Sequence, residues 1–262
     1  MRASSAPSIS ASARHRTTTR CASRRDGTDA PRVTLALKEW HAACEAMRCG
    51  RQTVLLRKGG IADDARASSF EIRSTKEFAL FPTNFHVDAA LLAREEAAAL
   101  AALAAPDMKN GESVTLALAA RVTGAWIIDG ARGLEALRAL KNYHCWSDAL
   151  QQTRLAYKPQ MGLTILELRA YEAAAYDHAT LEADLERYGG CKSWIDIDPW
   201  TPTTLRACVS DEDFAERGAR LRADLEALDA TDVLVKCESN GDARCILNCD
   251  ILVANNRVHA CV

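Results

Sequence analysis

The spacing of apolar residues divides the chain into elements before composition is considered. From Thr34, the residues Leu37, Trp40, Cys44 and Met47 fall at intervals of three, four and three, which predicts an amphipathic helix ended at Gly50. A buried strand, Thr53-Val54-Leu55-Leu56, follows and delivers Arg57 and Lys58 just ahead of Gly59 and Gly60. Residues 62–69 are polar and small and predict a mobile loop. Phe70-Glu71-Ile72-Arg73 and Phe78-Ala79-Leu80-Phe81 read as two more strands, the second closed by Pro82.

Downstream, Asp88 is placed to cap an alanine-rich helix over about residues 89–105, ended by Pro106. The clearest strand signal is the one-sided series Val114, Leu116, Leu118, Ala120, Val122, Trp126 and Ile128, broken only at Gly124, where a bend is expected. Gly133 opens a helix with Leu134, Leu137, Leu140 and His144 on one side, and Ser147 caps a short helix through Leu155. Leu163 to Tyr171 is a strand apolar on both faces except for Glu167 and Arg169. Thr180 is placed to cap a helix ending at Gly189-Gly190, and Cys191 to Asp196 predicts a short edge strand packed by Trp194. Ser210 and Asp213 form a capping-box-like start for a last amphipathic helix carrying Phe214, Gly218, Leu221, Leu225 and Leu228.

Charge changes this picture at the start of the chain. Residues 1–32 hold seven arginines against Asp26 and Asp29, a net +5, whereas the whole chain is −2, which leaves −7 for the remainder. An Arg- and Ser-rich, acid-poor segment without an apolar core predicts an organelle transit peptide, plastid before mitochondrion, with a disordered basic tail as the alternative. The organisation expected is therefore residues 1–32 as leader or tail, 33–228 as a single α+β domain, and 229–262 as a C-terminal extension. No apolar run approaches the roughly 20 residues that span a bilayer. The ten cysteines show no C-x-x-C pair, which favours free thiols in a reducing compartment.

Several segments together resemble a family known only as domain of unknown function 1802. They are ALKEW, VLLRKGGI, FALFPT, the L-x-x-L-x-x-YHCW stretch, ILELRAY and YGGCKSW, spread over about residues 35–228. That resemblance implies no activity. A second similarity is to ASCH domains of the PUA-like fold, in which a helix leads through a G-x-K-x-x-E-x-R pattern into a barrel strand. Here the register gives Gly50, Gln52, Leu55 and Arg57, so glycine and arginine match while lysine and glutamate do not. It implies a small bent β-sheet or PUA-like β-barrel decorated by helices, and a module that binds RNA or modified bases.

Two groups of residues carry candidate chemistry. Arg57 and Lys58, with Gly59 and Gly60 allowing close backbone approach, suit a phosphate or carboxylate. Tyr143, His144 and Trp146, followed by Arg154, Tyr157 and Lys158, interleave aromatics with cations as base-stacking surfaces do; the alternative is that Tyr143 and Trp146 plug the core. His41, His86 and His144 are solitary, so no metal or other cofactor is expected. Glu71-x-Arg73 and Glu167-x-Arg169 lack the lysine of a metal-dependent nuclease, and Cys191 has no base linked to it in sequence. The function expected is recognition of RNA or a nucleotide-like anion. A hydrolase acting on nucleic acid or a small nucleotide, and a protein-protein interaction domain, are the alternatives.

Overall fold

The computed structural model of the protein describes residues 30–58, 70, 72–73, 77–84, 88–93, 108–156 and 161–234. Its centre is an eight-stranded mixed sheet. The main path runs β2 (Val54–Arg57), β6 (Leu163–Ala173), β5 (Leu118–Ile128), β3 (Phe78–Thr83), β1 (Val33–Trp40), β8 (Trp194–Trp200). Two short strands, β9 (Leu205–Ala207) and β10 (Thr231–Asp232), add to β6 and β5. Only β1 and β3 run parallel, in register from Ala36↔Ala79 to Trp40↔Thr83. The path ends at β2 and β8, so the sheet is open and does not close into a PUA-like barrel. The fold is α+β in its open-sheet form.

The first element departs from its spacing. Val33–Trp40 is a strand, and the helix, α1, occupies only His41–Arg48. Because β1 lies between β3 and β8 with both faces covered, it buries Ala36, Leu37, Lys38, Glu39 and Trp40 in succession. A strand buried on both faces loses the two-residue alternation that marks half-buried strands. No side chain caps the strand-to-helix junction at Trp40 to announce it. Gly50 does end the helix in a left-handed conformation, φ 71°. A Cβ there would lie 2.8 Å from the Cys208 carbonyl oxygen, so the position excludes larger residues twice over.

The long series from Val114 divides at Ala117. Its start, β4 (Val114–Leu116), leaves the main sheet and pairs with β7 (Ala179–Leu181). Thr180 therefore faces Thr115 across a ribbon and caps no helix. The helix expected there shrinks to α3 (Leu185–Tyr188), capped by Asp184. Gly124 sits at the predicted irregularity, where the register with β6 shifts between Val122 and Gly124. The Trp126 ring lies over it, 2.1 Å from where a Cβ would be.

Helix α2 (Gly133–Ala139) and helix α4 (Asp211–Ala227) pack over the sheet, and α4 opens with Ser210 accepting from the Asp213 N–H at 3.0 Å. Leu137, Leu140, Leu221, Leu225 and Leu228 join Trp40, Trp146 and Ile165 in one core cluster. Leu37, Phe70, Phe78, Leu80 and Trp194 belong to a second. Asp88 caps as expected, accepting from the Ala90 N–H, but what is described there is the short turn Ala89–Leu91. The alanine-rich stretch 94–107, the loop 62–69, Glu71, residues 1–29 and residues 235–262 lie outside the described residues. No described helix is long and apolar enough to cross a membrane.

Candidate functional site

At the carboxyl ends of the parallel pair β1 and β3, beside the turn into β8, lies a concavity of about 280 Å³. Its walls come from Lys38-Glu39-Trp40, Arg57, Thr83, Lys109 and the Gly190–Ser193 turn. Four of these wall segments belong to stretches on which the family resemblance rests: ALKEW, VLLR, FALFPT and YGGCKSW. They are distant in sequence and meet because β1 pairs with both β3 and β8.

The floor is a locked pair. Arg57 donates through Nη1 to Glu39 Oε2 at 3.0 Å and through Nη2 to the Lys38 carbonyl at 3.1 Å, with its guanidinium 5.0 Å from the Phe70 ring centroid. Glu39 Oε1 accepts the Trp40 N–H at 2.7 Å, so both carboxylate oxygens are engaged. Glu39 is the only acid among the described residues that line the concavity, and its side chain is 3% exposed. Arg57 Nε is buried with no hydrogen-bond partner among the described residues.

Lys38 shapes the rim. Its Nζ donates to the carbonyls of Gly189 at 3.0 Å and Gly190 at 3.1 Å, and its backbone N–H donates to Ser193 O at 2.8 Å. Gly190, at φ 71°, makes the turn that brings both carbonyls to one ammonium. Burial lowers the Lys38 pKa to about 8, helped by the nearby Lys192 and opposed by Cys191. Cys191 and Lys192 themselves are exposed at the mouth.

Of the ligand-binding residues expected from sequence, Arg57 alone among those described lines this concavity, together with Cys191, a candidate nucleophile by sequence. Lys58 goes elsewhere: its Nζ donates to the Leu155 carbonyl at 2.6 Å, and burial lowers its pKa. Tyr143, His144 and Trp146 are all buried. Tyr143 donates to Asp224 at 2.8 Å, and burial, then that bond, raises its pKa to about 12. Trp146 meets Trp40 edge-on at 5.0 Å between ring centroids. His144 Nδ1 accepts the Trp146 N–H at 3.1 Å and its Nε2 lies 2.9 Å from the Leu137 carbonyl, which places the proton on Nε2. Burial lowers its pKa to about 4. Arg154 falls in the turn Gln151–Leu155, while its side chain, Gly59, Gly60, Tyr157 and Lys158 lie outside the described residues.

The catalytic alternatives are not assembled among the described residues. Glu167 accepts from Thr123 Oγ1 at 2.9 Å and lies 3.5 Å from Arg222, while Arg169 pairs with Asp211. His144, held by the backbone at both ring nitrogens, does not serve Cys191. Among the described residues, no three His, Cys, Asp or Glu side chains gather as metal ligands would. The described cysteines are thiols: Cys44, Cys145 and Cys208 are buried, Cys49 and Cys191 exposed. Gln52, at the lysine place of the barrel-entry pattern, is buried and stitches backbone, donating to Val54 O and accepting from the Cys145 N–H.

Sequence reasoning missed Lys38, Lys109 and Lys192, and met Cys191 only as a nucleophile without a base. The available signal was that ALKEW and YGGCKSW recur as separate pieces of one resemblance. A family model described as "Domain of unknown function (DUF1802)" matches residues 36–220. No curated protein and no solved structure matches the chain.

Proposed function

The chain belongs to the DUF1802 family, and on that footing we propose that it is a recognition module holding a nucleotide-like anion in the concavity at the ends of β1 and β3. The observation that carries this reading is the charge balance. Among the described residues, Lys38, Arg57, Lys109 and Lys192 line the concavity against one carboxylate, Glu39, whose oxygens are already engaged. In a remainder that carries −7, this concentration of cations is local. Its volume of about 280 Å³ suits one small ligand, near the lower end of the roughly 300–1,000 Å³ typical of such sites. The hollow beside α1 and β3 sets Glu45 and Glu112 against Arg48, which is already paired with Glu45 at 2.7 Å, so that surface offers a long polyanion no net attraction. A compact phosphate ester is therefore favoured over an RNA strand.

The test is calorimetric titration of adenosine monophosphate into the full chain at low salt, with alkylation of Cys191 followed by mass spectrometry. Binding that slows Cys191 alkylation and is lost in Lys192→Ala, but kept in the distant Lys141→Ala, supports the reading. Absence of binding at millimolar nucleotide rejects it. A single-stranded oligonucleotide that binds where the mononucleotide does not moves the reading to RNA, with a salt dependence set by the phosphates neutralised.

The Arg-rich, acid-poor residues 1–32 support a plastid address for this module. Import that is lost on deleting residues 1–31 agrees with it; unchanged import removes it.

A further inference from the structure

A second cation-lined hollow, of about 710 Å³, lies beyond the other end of α1. It is formed by Cys49-Gly50-Arg51 after the helix, Asn142-Tyr143, and Arg217, Arg220, Ala223 and Asp224 on α4. With eight residues at about 1.5 Å each, α1 sets Trp40 and Cys49 roughly 12 Å or more apart, so this hollow is separate from the first.

We propose that this hollow is a second anion site, built for a small molecule that carries two or more linked phosphate groups. Among the described residues, three guanidiniums and no lysine line it, and Arg is the side chain whose planar fork binds phosphate oxygens in pairs. Arg217 is preset, because Nη1 donates to the Gly50 carbonyl at 2.6 Å. Arg220 stands one turn further along the same helix face and, among the described residues, pairs with Glu216 through an exposed contact at 3.3 Å, a pairing worth little against a ligand. Asp224, the one acid among the described residues lining the hollow, accepts the Tyr143 hydroxyl at 2.8 Å, so one of its oxygens is already engaged. A single phosphate reaches one or two such forks. Linked phosphates match three cations in both charge and extent.

The experiment titrates inorganic pyrophosphate into the full chain at low salt, read by calorimetry and by iodoacetamide alkylation of the exposed Cys49. The result expected is saturable binding that protects Cys49, weakened about tenfold or more by Arg220→Ala and by Arg51→Ala, and unchanged by Lys192→Ala. Arg217 is left intact because it also holds the Gly50 turn. Three results overturn the proposal: no binding at millimolar pyrophosphate, binding that survives both arginine substitutions, or binding lost in Lys192→Ala alone. The last assigns pyrophosphate to the concavity at β1 and β3. Adenosine monophosphate protecting Cys191 tests that first site independently.

Discussion

Replacing Arg57 by methionine isolates what the buried pair beneath the concavity contributes. The substitution keeps much of the packing against Phe70 but withdraws the cation from Glu39, whose side chain is 3% exposed, and removes the bond to the Lys38 carbonyl. Leaving one member of a buried ion pair unpartnered costs about 3–5 kcal/mol. Arg57 is itself 13% exposed at the side chain, so the lower part of that range, about 3 kcal/mol, is expected here. Glu39→Gln in the same chain removes the stranded charge while its amide oxygen still accepts the Trp40 N–H. The double variant is therefore expected to be more stable than Arg57→Met alone. Equilibrium urea unfolding, with the midpoint and slope fitted for the parent, both single variants and the double, closes the thermodynamic cycle. A loss below about 1 kcal/mol for Arg57→Met, or a double variant whose loss equals the sum of the singles, would refute the reasoning. Because Arg57 also supports the fold, a binding defect in Arg57→Ala alone would not identify a ligand contact; the exposed Lys192 serves that purpose.

Three further outcomes follow from the same geometry. His144 is held neutral, its pKa lowered from 6.5 to about 4, so the unfolded chain binds the extra proton between those values. Stability is complete above pH 6.5 and falls as pH drops toward 4, by about 3 kcal/mol at most; urea midpoints should show a flatter acid limb in His144→Gln. Gly50→Ala and Gly190→Ala both force φ 71° on a side chain, but only the first meets an atom, the Cys208 carbonyl at 2.8 Å. The first should lose about 2 kcal/mol or more and the second about 1 kcal/mol; equal melting temperatures for the two would contradict the packing argument. Lys38, with its pKa lowered to about 8, loses its charge as pH rises through that value, so nucleotide affinity measured by calorimetry should decline between pH 7 and 9; constant affinity would detach Lys38 from binding.

The elements legible in sequence were those whose pattern is written locally. Ser210 and Asp213 mark the start of α4, Gly124 marks the bulge in β5, and Leu163 to Tyr171 reads as the strand it is. Val33–Trp40 was illegible as a strand because burial on both faces erases alternation, and Leu37 and Trp40 share a spacing with the helix that follows. Thr180 carries a cap residue's chemistry, yet β4 needs a partner and Thr180 lies opposite it. The site was legible only in part, for a related reason. Arg57 stands out beside two glycines, but its partners Lys38 and Lys192 are assembled by pairings of β1 with β3 and β8. Tyr143, His144 and Trp146 have the composition of a recognition surface and lie in the core, where His144 bonds the backbone at both ring nitrogens.

The central claim is that the concavity at the ends of β1 and β3 holds a compact phosphate ester through its cations. The most direct measurement is the affinity of adenosine monophosphate for the full chain and for Lys192→Ala, by calorimetry over a range of salt. The account predicts saturable binding to the parent that weakens as salt rises and is reduced about tenfold or more in Lys192→Ala. Equal affinity in the two proteins, or no binding to either at low salt, would contradict it.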